Sequence, residues 1–203
     1  MSTKGSLEVV CGPMFSGKSE ELIRRLRRAK IARQKVLTFK HSLDNRHANA
    51  FEFVVSHDGT KLNAQPVNDI HAIITIANDM QADVVGIDEA QWFPHEIINI
   101  ICSLVDNHKR VIVAGLDLDF RGVPFGPMPL LLAIADKITK LQAICSLCGI
   151  DAHFSQRLIN NLPADYDDPI VLVGAQESYQ PRCRGCYSIN KRAVFNSTTL
   201  QLG

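Results

Sequence analysis

The chain has 203 residues, 46% of them hydrophobic, and its 22 lysines and arginines against 21 aspartates and glutamates leave a formal charge of +1. That length suits one domain plus a small appendage, and the near-even balance gives no bulk affinity for nucleic acid or an anionic membrane, although a local basic patch stays open. No apolar stretch approaches the roughly 18 residues of a membrane span and no apolar leader opens the chain. A cytoplasmic protein is expected, in which six cysteines serve as ligands or core thiols rather than as disulfides.

Leu7 to Cys11 reads as a short buried strand, and Ser19 to Gln34 as a helix. Between them Gly12, Pro13, Met14, Phe15, Ser16, Gly17, Lys18 and Ser19 fill the pattern G-x-x-x-x-G-K-[ST] at every fixed position. At a strand-to-helix turn that pattern makes a phosphate cradle: backbone N–H groups and the helix dipole face the anion. Lys18 then reaches the β- and γ-phosphates and the Ser19 hydroxyl joins the shell of a bound Mg²⁺. The helix carries a basic run of Arg24, Arg25, Arg27, Arg28, Lys30, Arg33 and Lys35 beside Leu22, Ile23, Leu26 and Ala29. It is either a nucleic-acid groove or a solvated or subunit-facing surface, and Glu20 and Glu21 offset part of its field.

Apolar runs then alternate with helical stretches: strands at Val36–Phe39, Asp83–Glu89 and Arg110–Leu116, helices near Ile70–Gln81 and Pro94–Asn107. The alternation predicts an α/β fold, a mostly parallel sheet flanked by helices with sites at the carboxyl ends of the strands. The third strand ends in two acids. Asp88 fits the metal-side carboxylate that accompanies a phosphate loop. Strand alternation sends Glu89 in another direction, where it acts as a general base or, on the plainer reading, caps the helix near Pro94. An acid pair ending a buried strand is costly to place without function.

Cys145 and Cys148, then Cys183 and Cys186, form two C-x-x-C knuckles, the spacing of a closed structural Zn²⁺ site; a redox dithiol is the alternative. Between them lie a polar turn at Asp165–Pro169 and a strand-like run at Ile170–Gly174. Cys11 and Cys102 stand in apolar company and read as core residues.

Taken together, these residues resemble the compact zinc-containing thymidine kinases over nearly the whole chain. The resemblance rests on the Gly12–Ser19 loop and the helix after it, on Asp44-Asn45-Arg46, Ser56-His57-Asp58-Gly59 and Gly86 to Phe93, on Ala114 to Gly126, and on the second knuckle preceded by Tyr179. It implies transfer of the ATP γ-phosphate to the 5′-hydroxyl of thymidine with Mg²⁺, in a P-loop NTPase-like domain (1–141), a zinc-binding lasso domain (142–195) and a tail (196–203). Glu89 matches the general base, and the Gly12–Ser19 loop, Asp88, Glu89, Ala90, Gln91 and Arg46 match the nucleotide contacts. Met14, Trp92, Leu116, Phe120, Ser155, Arg157, Leu172, Val173, Gly174 and Tyr179 match residues around the nucleoside, beneath a lasso loop spanning about Asn161 to Tyr179.

The resemblance also implies a homotetramer and feedback inhibition by dTTP, with no nucleic-acid or membrane partner. Trp92 departs from the family's more frequent phenylalanine, and Ser155 from a threonine in some relatives; both bear on substrate range. The competing readings are a nucleic-acid-stimulated ATPase, for which no strand-binding or coupling element is found, and a zinc module that only binds nucleotide, against which Lys18, Ser19, Asp88 and Glu89 all stand intact.

Overall fold

A computed structural model describes residues 4–41, 53–55, 61–170 and 177–190. In chain order they form β1 (Ser6–Cys11), α1 (Lys18–Ile31), β2 (Val36–His41), β3 (Phe53–Val55), β4 (Lys61–Asn63), β5 (Gln65–Val67), α2 (His71–Asp79), β6 (Val84–Asp88), a 3-10 turn at Ala90–Trp92, α3 (Ile97–Asp106), β7 (Arg110–Gly115), α4 (Met128–Ile134) and β8 (Lys137–Lys140). The short strands β9 (Ala143–Ile144), β10 (Asp151–Ala152), β11 (Phe154–Ile159), β12 (Leu162–Pro163) and β13 (Glu177–Arg182) follow.

The central sheet has six strands in the order β5-β2-β6-β7-β1-β8, and every pairing in it is parallel. The link through α1 runs from β1 to β2, whereas α2, α3 and α4 carry the chain across the sheet in the opposite sense. Right-handed crossovers therefore put α1 on one face and the other three helices on the other. The side chains obey this division. Leu7, Val9, Cys11, Val85, Ile87, Val111 and Val113 pack with the inner residues of α2, α3 and α4. Their sequence neighbours Val10, Val84, Ile112 and Ala114 pack with Leu22, Ile23, Leu26 and Ala29 of α1. Strands covered on both faces read as near-continuous apolar runs, as residues 9–11 of β1, 84–87 of β6 and 111–115 of β7 do, whereas Glu8 interrupts β1 and is held there by Arg25 and Arg110.

Three helices stop slightly earlier than the periodicity predicts, at Ile31, Asp79 and Asp106. Each closes in the same way: Arg33, Gln81 and His108 take left-handed backbone at φ 60°, 50° and 60°. The next N–H in each case, of Gln34, Ala82 and Lys109, donates back to Ala29, Ala77 and Leu104. These are Schellman closures made without glycine.

The arginine-rich helix needs correction. Arg33 and Lys35 lie beyond its end, and Arg25 is buried rather than solvated. Its guanidinium donates to Glu8 and Glu21 at 2.7 Å each and to the Thr139 hydroxyl at 2.7 Å, while Glu8 also holds Arg110 at 2.7 Å. One cation thus ties α1 to β1 and β8. Cys11 is buried as expected, but Cys102 is exposed, because Ile97, Ile100, Ile101 and Leu104 form the buried stripe of α3.

Beyond β8 the chain builds a three-stranded antiparallel sheet, β12-β11-β13. Its middle strand buries Ser155, Gln156 and Arg157, a polar run with no apolar signal. Of the strand-like stretch Ile170–Gly174, residues 171–174 fall outside the described residues.

Candidate active site

The site lies where β1, β6 and β7 end. After Cys11 the chain turns through a loop whose last residue, Gly17, sits at φ 80° and starts α1 with no side chain capping the helix. The left-handed backbone at Gly17 calls for glycine there, while the nearest atom to a Cβ at that position, a carboxylate oxygen of the exposed Glu20 at 2.8 Å, could move aside. The loop is tied to itself: the Ser16 hydroxyl and the Lys18 ammonium donate to the Pro13 carbonyl at 2.8 and 2.7 Å. The uncapped N-terminus of a 14-residue helix, with a lysine and a hydroxyl in its first turn, is suited to an anion.

Asp88 is the last residue of β6, and both of its oxygens are engaged on the protein. One accepts the Ser19 hydroxyl at 3.1 Å and the other the Glu89 N–H at 3.0 Å. Glu89 then leaves the strand, as expected, but by a different route from simple alternation. It takes left-handed backbone, φ 53° and ψ 41°, and heads the 3-10 turn Ala90–Trp92. It does not cap the next helix, whose N-cap is Glu96. A non-glycine residue in this conformation is strained and is often found at functional sites. Gln91, buried, donates its amide to Glu89 at 2.5 Å and accepts the Leu116 N–H at 2.9 Å. Ala90 packs into the large core, leaving only its backbone near the site.

Two oxygen donors 3.1 Å apart, Ser19 and Asp88, suit a small hard cation, since neighbouring ligands of octahedral Mg²⁺ lie about 2.9 Å from one another.

The other wall comes from the antiparallel sheet. Alternate residues of a strand share a face, and here Ser155 and Arg157 of β11 share theirs with Tyr179, the cross-strand partner of Arg157. Ser155 accepts the Met14 N–H at 2.9 Å, joining this sheet to the Gly12–Ser19 loop. Arg157 is fully buried, its guanidinium 4.8 Å from the centre of the Phe120 ring and donating to the Pro169 carbonyl at 2.6 Å. Trp92 packs edge-on against Phe125 with ring centres 5.0 Å apart, and Leu116 is half-buried.

Three residues that sequence reasoning did not single out shape this wall. Asp119 accepts the N–H groups of Arg121 and Val123 at 2.8 and 3.1 Å, closing the turn that presents Phe120. The short Asp-Phe-Arg-Gly turn was the available signal. Tyr187, next to the last knuckle cysteine, donates its hydroxyl to the Phe120 carbonyl at 2.7 Å. Phe125 backs Trp92. Arg46, Leu172, Val173 and Gly174 fall outside the described residues, as do Asp44-Asn45-Arg46 and Ser56-His57-Asp58-Gly59.

The four knuckle cysteines converge. Their sulfur atoms all lie within 4.8 Å of one another, and tetrahedral zinc with bonds of about 2.3 Å holds its sulfurs about 3.8 Å apart, so the donor set fits that ion. Backbone bonds hold each knuckle: Cys145 N–H to Ile150 at 2.8 Å in the first, Cys186 N–H to Cys183 at 3.1 Å in the second. The thiols compete for ionisation. Desolvation works against the Cys145 thiolate, but backbone N–H groups of Cys183, Leu147 and Cys148 hold its pKa down at about 6. Hydrogen bonds with Cys183 and Cys148 push Cys186 up to about 12. Full deprotonation of the set calls for a bound cation.

Among the described residues no helix is long and apolar enough to cross a membrane. A family model described as thymidine kinase matches residues 5–187, a span that takes in the Gly12–Ser19 loop, the Asp88–Glu89 pair and all four knuckle cysteines. The match covers most of the 203 residues, and the chain belongs to the thymidine kinase family.

Proposed function

We propose that the chain phosphorylates thymidine by moving the γ-phosphoryl group of ATP onto the 5′-hydroxyl, with Glu89 as the general base. The observation that carries this reading is the divergence of the two acids at the end of β6. Asp88 bonds Ser19 on the phosphate-loop side, while Glu89 turns away and is joined through Gln91 to Leu116. One carboxylate thus serves the nucleotide and the other the acceptor.

Lys18 exchanges its bond to Pro13 for phosphate oxygens, and the backbone N–H groups at the start of α1 bind the same anion. Ser19, with Asp88 beside it, would hold a Mg²⁺ ion, which when bound would supply charge neutralisation on the transferred group. The thymidine hydroxyl oxygen forms the new bond to phosphorus, its proton passes to Glu89, and the bond from the γ-phosphorus to the bridging oxygen breaks to release ADP. Trp92, Leu116 and Phe120 offer the apolar faces of a pyrimidine pocket, and Ser155 stands beside Met14 at its edge. Zinc in the four-cysteine cluster clips the base of the segment between the knuckles and takes no part in the chemistry. dTTP, with a triphosphate for the loop and a thymine for the pocket, is the expected inhibitor, and a homotetramer the expected assembly.

ADP release from Mg²⁺-ATP should be measured with no acceptor, thymidine, deoxycytidine, deoxyguanosine and single-stranded DNA. Stimulation by thymidine alone supports the reading. Stimulation by DNA without a nucleoside overturns it.

A further inference from the structure

We infer that Gln91 is a positioning residue whose single task in catalysis is to aim the Glu89 carboxylate, and that it acts through Glu89 rather than by touching the nucleotide. The inference rests on the general-base reading given above. Its ground is the chemistry of one buried amide. A side-chain amide has one accepting end and one donating end, which atomic positions alone distinguish poorly. Here the partners decide. The backbone N–H of Leu116 donates only, so the end 2.9 Å from it must be the oxygen. The amide nitrogen is then obliged to face Glu89, where it donates to Oε2 at 2.5 Å.

The amide has no freedom to turn, because Gln91 is 3% exposed and a flip would set two donors and two acceptors against each other. The backbone of the same residue is confined as well: a Cβ at Gly126, itself at φ 49°, would stand 2.3 Å from the Gln91 carbonyl oxygen. The result is a bridge from the end of β6 to the end of β7. It links the acid to the residue that opens the pocket loop, so the carboxylate and the wall of the nucleoside pocket keep one spacing. A misplaced base loses rate without losing substrate affinity.

The test is a double-mutant cycle on the full-length enzyme, using Glu89→Gln, Gln91→Leu and the pair, with kcat and both KM values read separately. Gln91→Glu is a second variant that keeps the acceptor for Leu116. Glu89→Gln alone tests the base: retention of full kcat there sinks the general-base reading whatever Gln91 does. Given a large loss at Glu89, the expected outcome is a kcat lowered about 10- to 100-fold in Gln91→Leu, with the KM for ATP changed by less than about threefold. The double variant should be no slower than Glu89→Gln, because an aiming residue has nothing left to aim. Losses that multiply in the double variant, or a KM for ATP that rises while kcat holds, overturn the inference. So does a Gln91→Glu enzyme, folded by its melting curve, that keeps wild-type kcat.

Discussion

The guanidinium of Arg157 lies 4.8 Å from the centre of the Phe120 ring while donating to the Pro169 carbonyl at 2.6 Å. One buried cation therefore joins Phe120 to the segment between the two cysteine knuckles. A charge-assisted hydrogen bond contributes about 1.5–3 kcal/mol, which is about 10- to 100-fold in affinity. Arg157→Met should raise the KM for thymidine by that factor and leave the KM for ATP within about twofold. Equal changes in both would show a general loss of fold instead.

The four-cysteine cluster predicts about one zinc per chain. Metal analysis of the purified protein should find it, and Cys183→Ser should lower the zinc content, the melting temperature and the affinity for thymidine together. A wild-type chain free of metal, with unchanged melting after chelation, would contradict a zinc site.

The ion-pair network under α1 should make stability sensitive to acid. Hydrogen bonds from Arg24 and Arg25, opposed in part by desolvation, lower the Glu21 carboxyl from 4.5 to about 2. Glu8 is lowered too: burial works against it, but Arg110 and Arg25 prevail. For a depressed carboxylate the stabilisation is fully present above the unfolded value and disappears as pH falls through the folded one. Urea midpoints should therefore fall between about pH 4.5 and pH 2, and Glu21→Gln should flatten that slope. An unchanged slope in the variant would discount the network.

The early helix ends give a stability prediction of the opposite sign. His108 is exposed and closes α3 at φ 60°, a conformation that costs a side-chain-bearing residue about 1–2 kcal/mol. Glycine removes that strain but gains freedom in the unfolded chain. His108→Gly should stabilise by about 0.5–1 kcal/mol, raising the melting temperature by about 1–4 °C. A lower melting temperature would refute the closure as a source of strain.

The same positions explain what could and could not be read from the chain. β1, β2, β6 and β7 were legible because strands covered on both faces carry apolar runs, clear enough to read even though Glu8 interrupts β1 and Thr38 and Lys40 interrupt β2. The helix ends were not, since arginine, glutamine and histidine carry no local sign that they will take left-handed backbone. β8, an edge strand written Lys-Ile-Thr-Lys, and β11, which buries Ser155, Gln156 and Arg157, lack an apolar run altogether. Their place is set by partners far away in sequence. At the site, the loop and the two acids announced themselves by spacing. The role of Gln91 did not, because its second partner, Leu116, is 25 residues on.

The most direct test of Glu89 as the base is single-turnover phosphoryl transfer from ATP to thymidine by Glu89→Gln, with ATP affinity measured on the same preparation. A general base contributes about 10²- to 10⁴-fold, so the transfer rate should fall by that much while ATP binds with wild-type affinity. A transfer rate within about threefold of wild type, from a folded enzyme, would show that the proton leaves by another route.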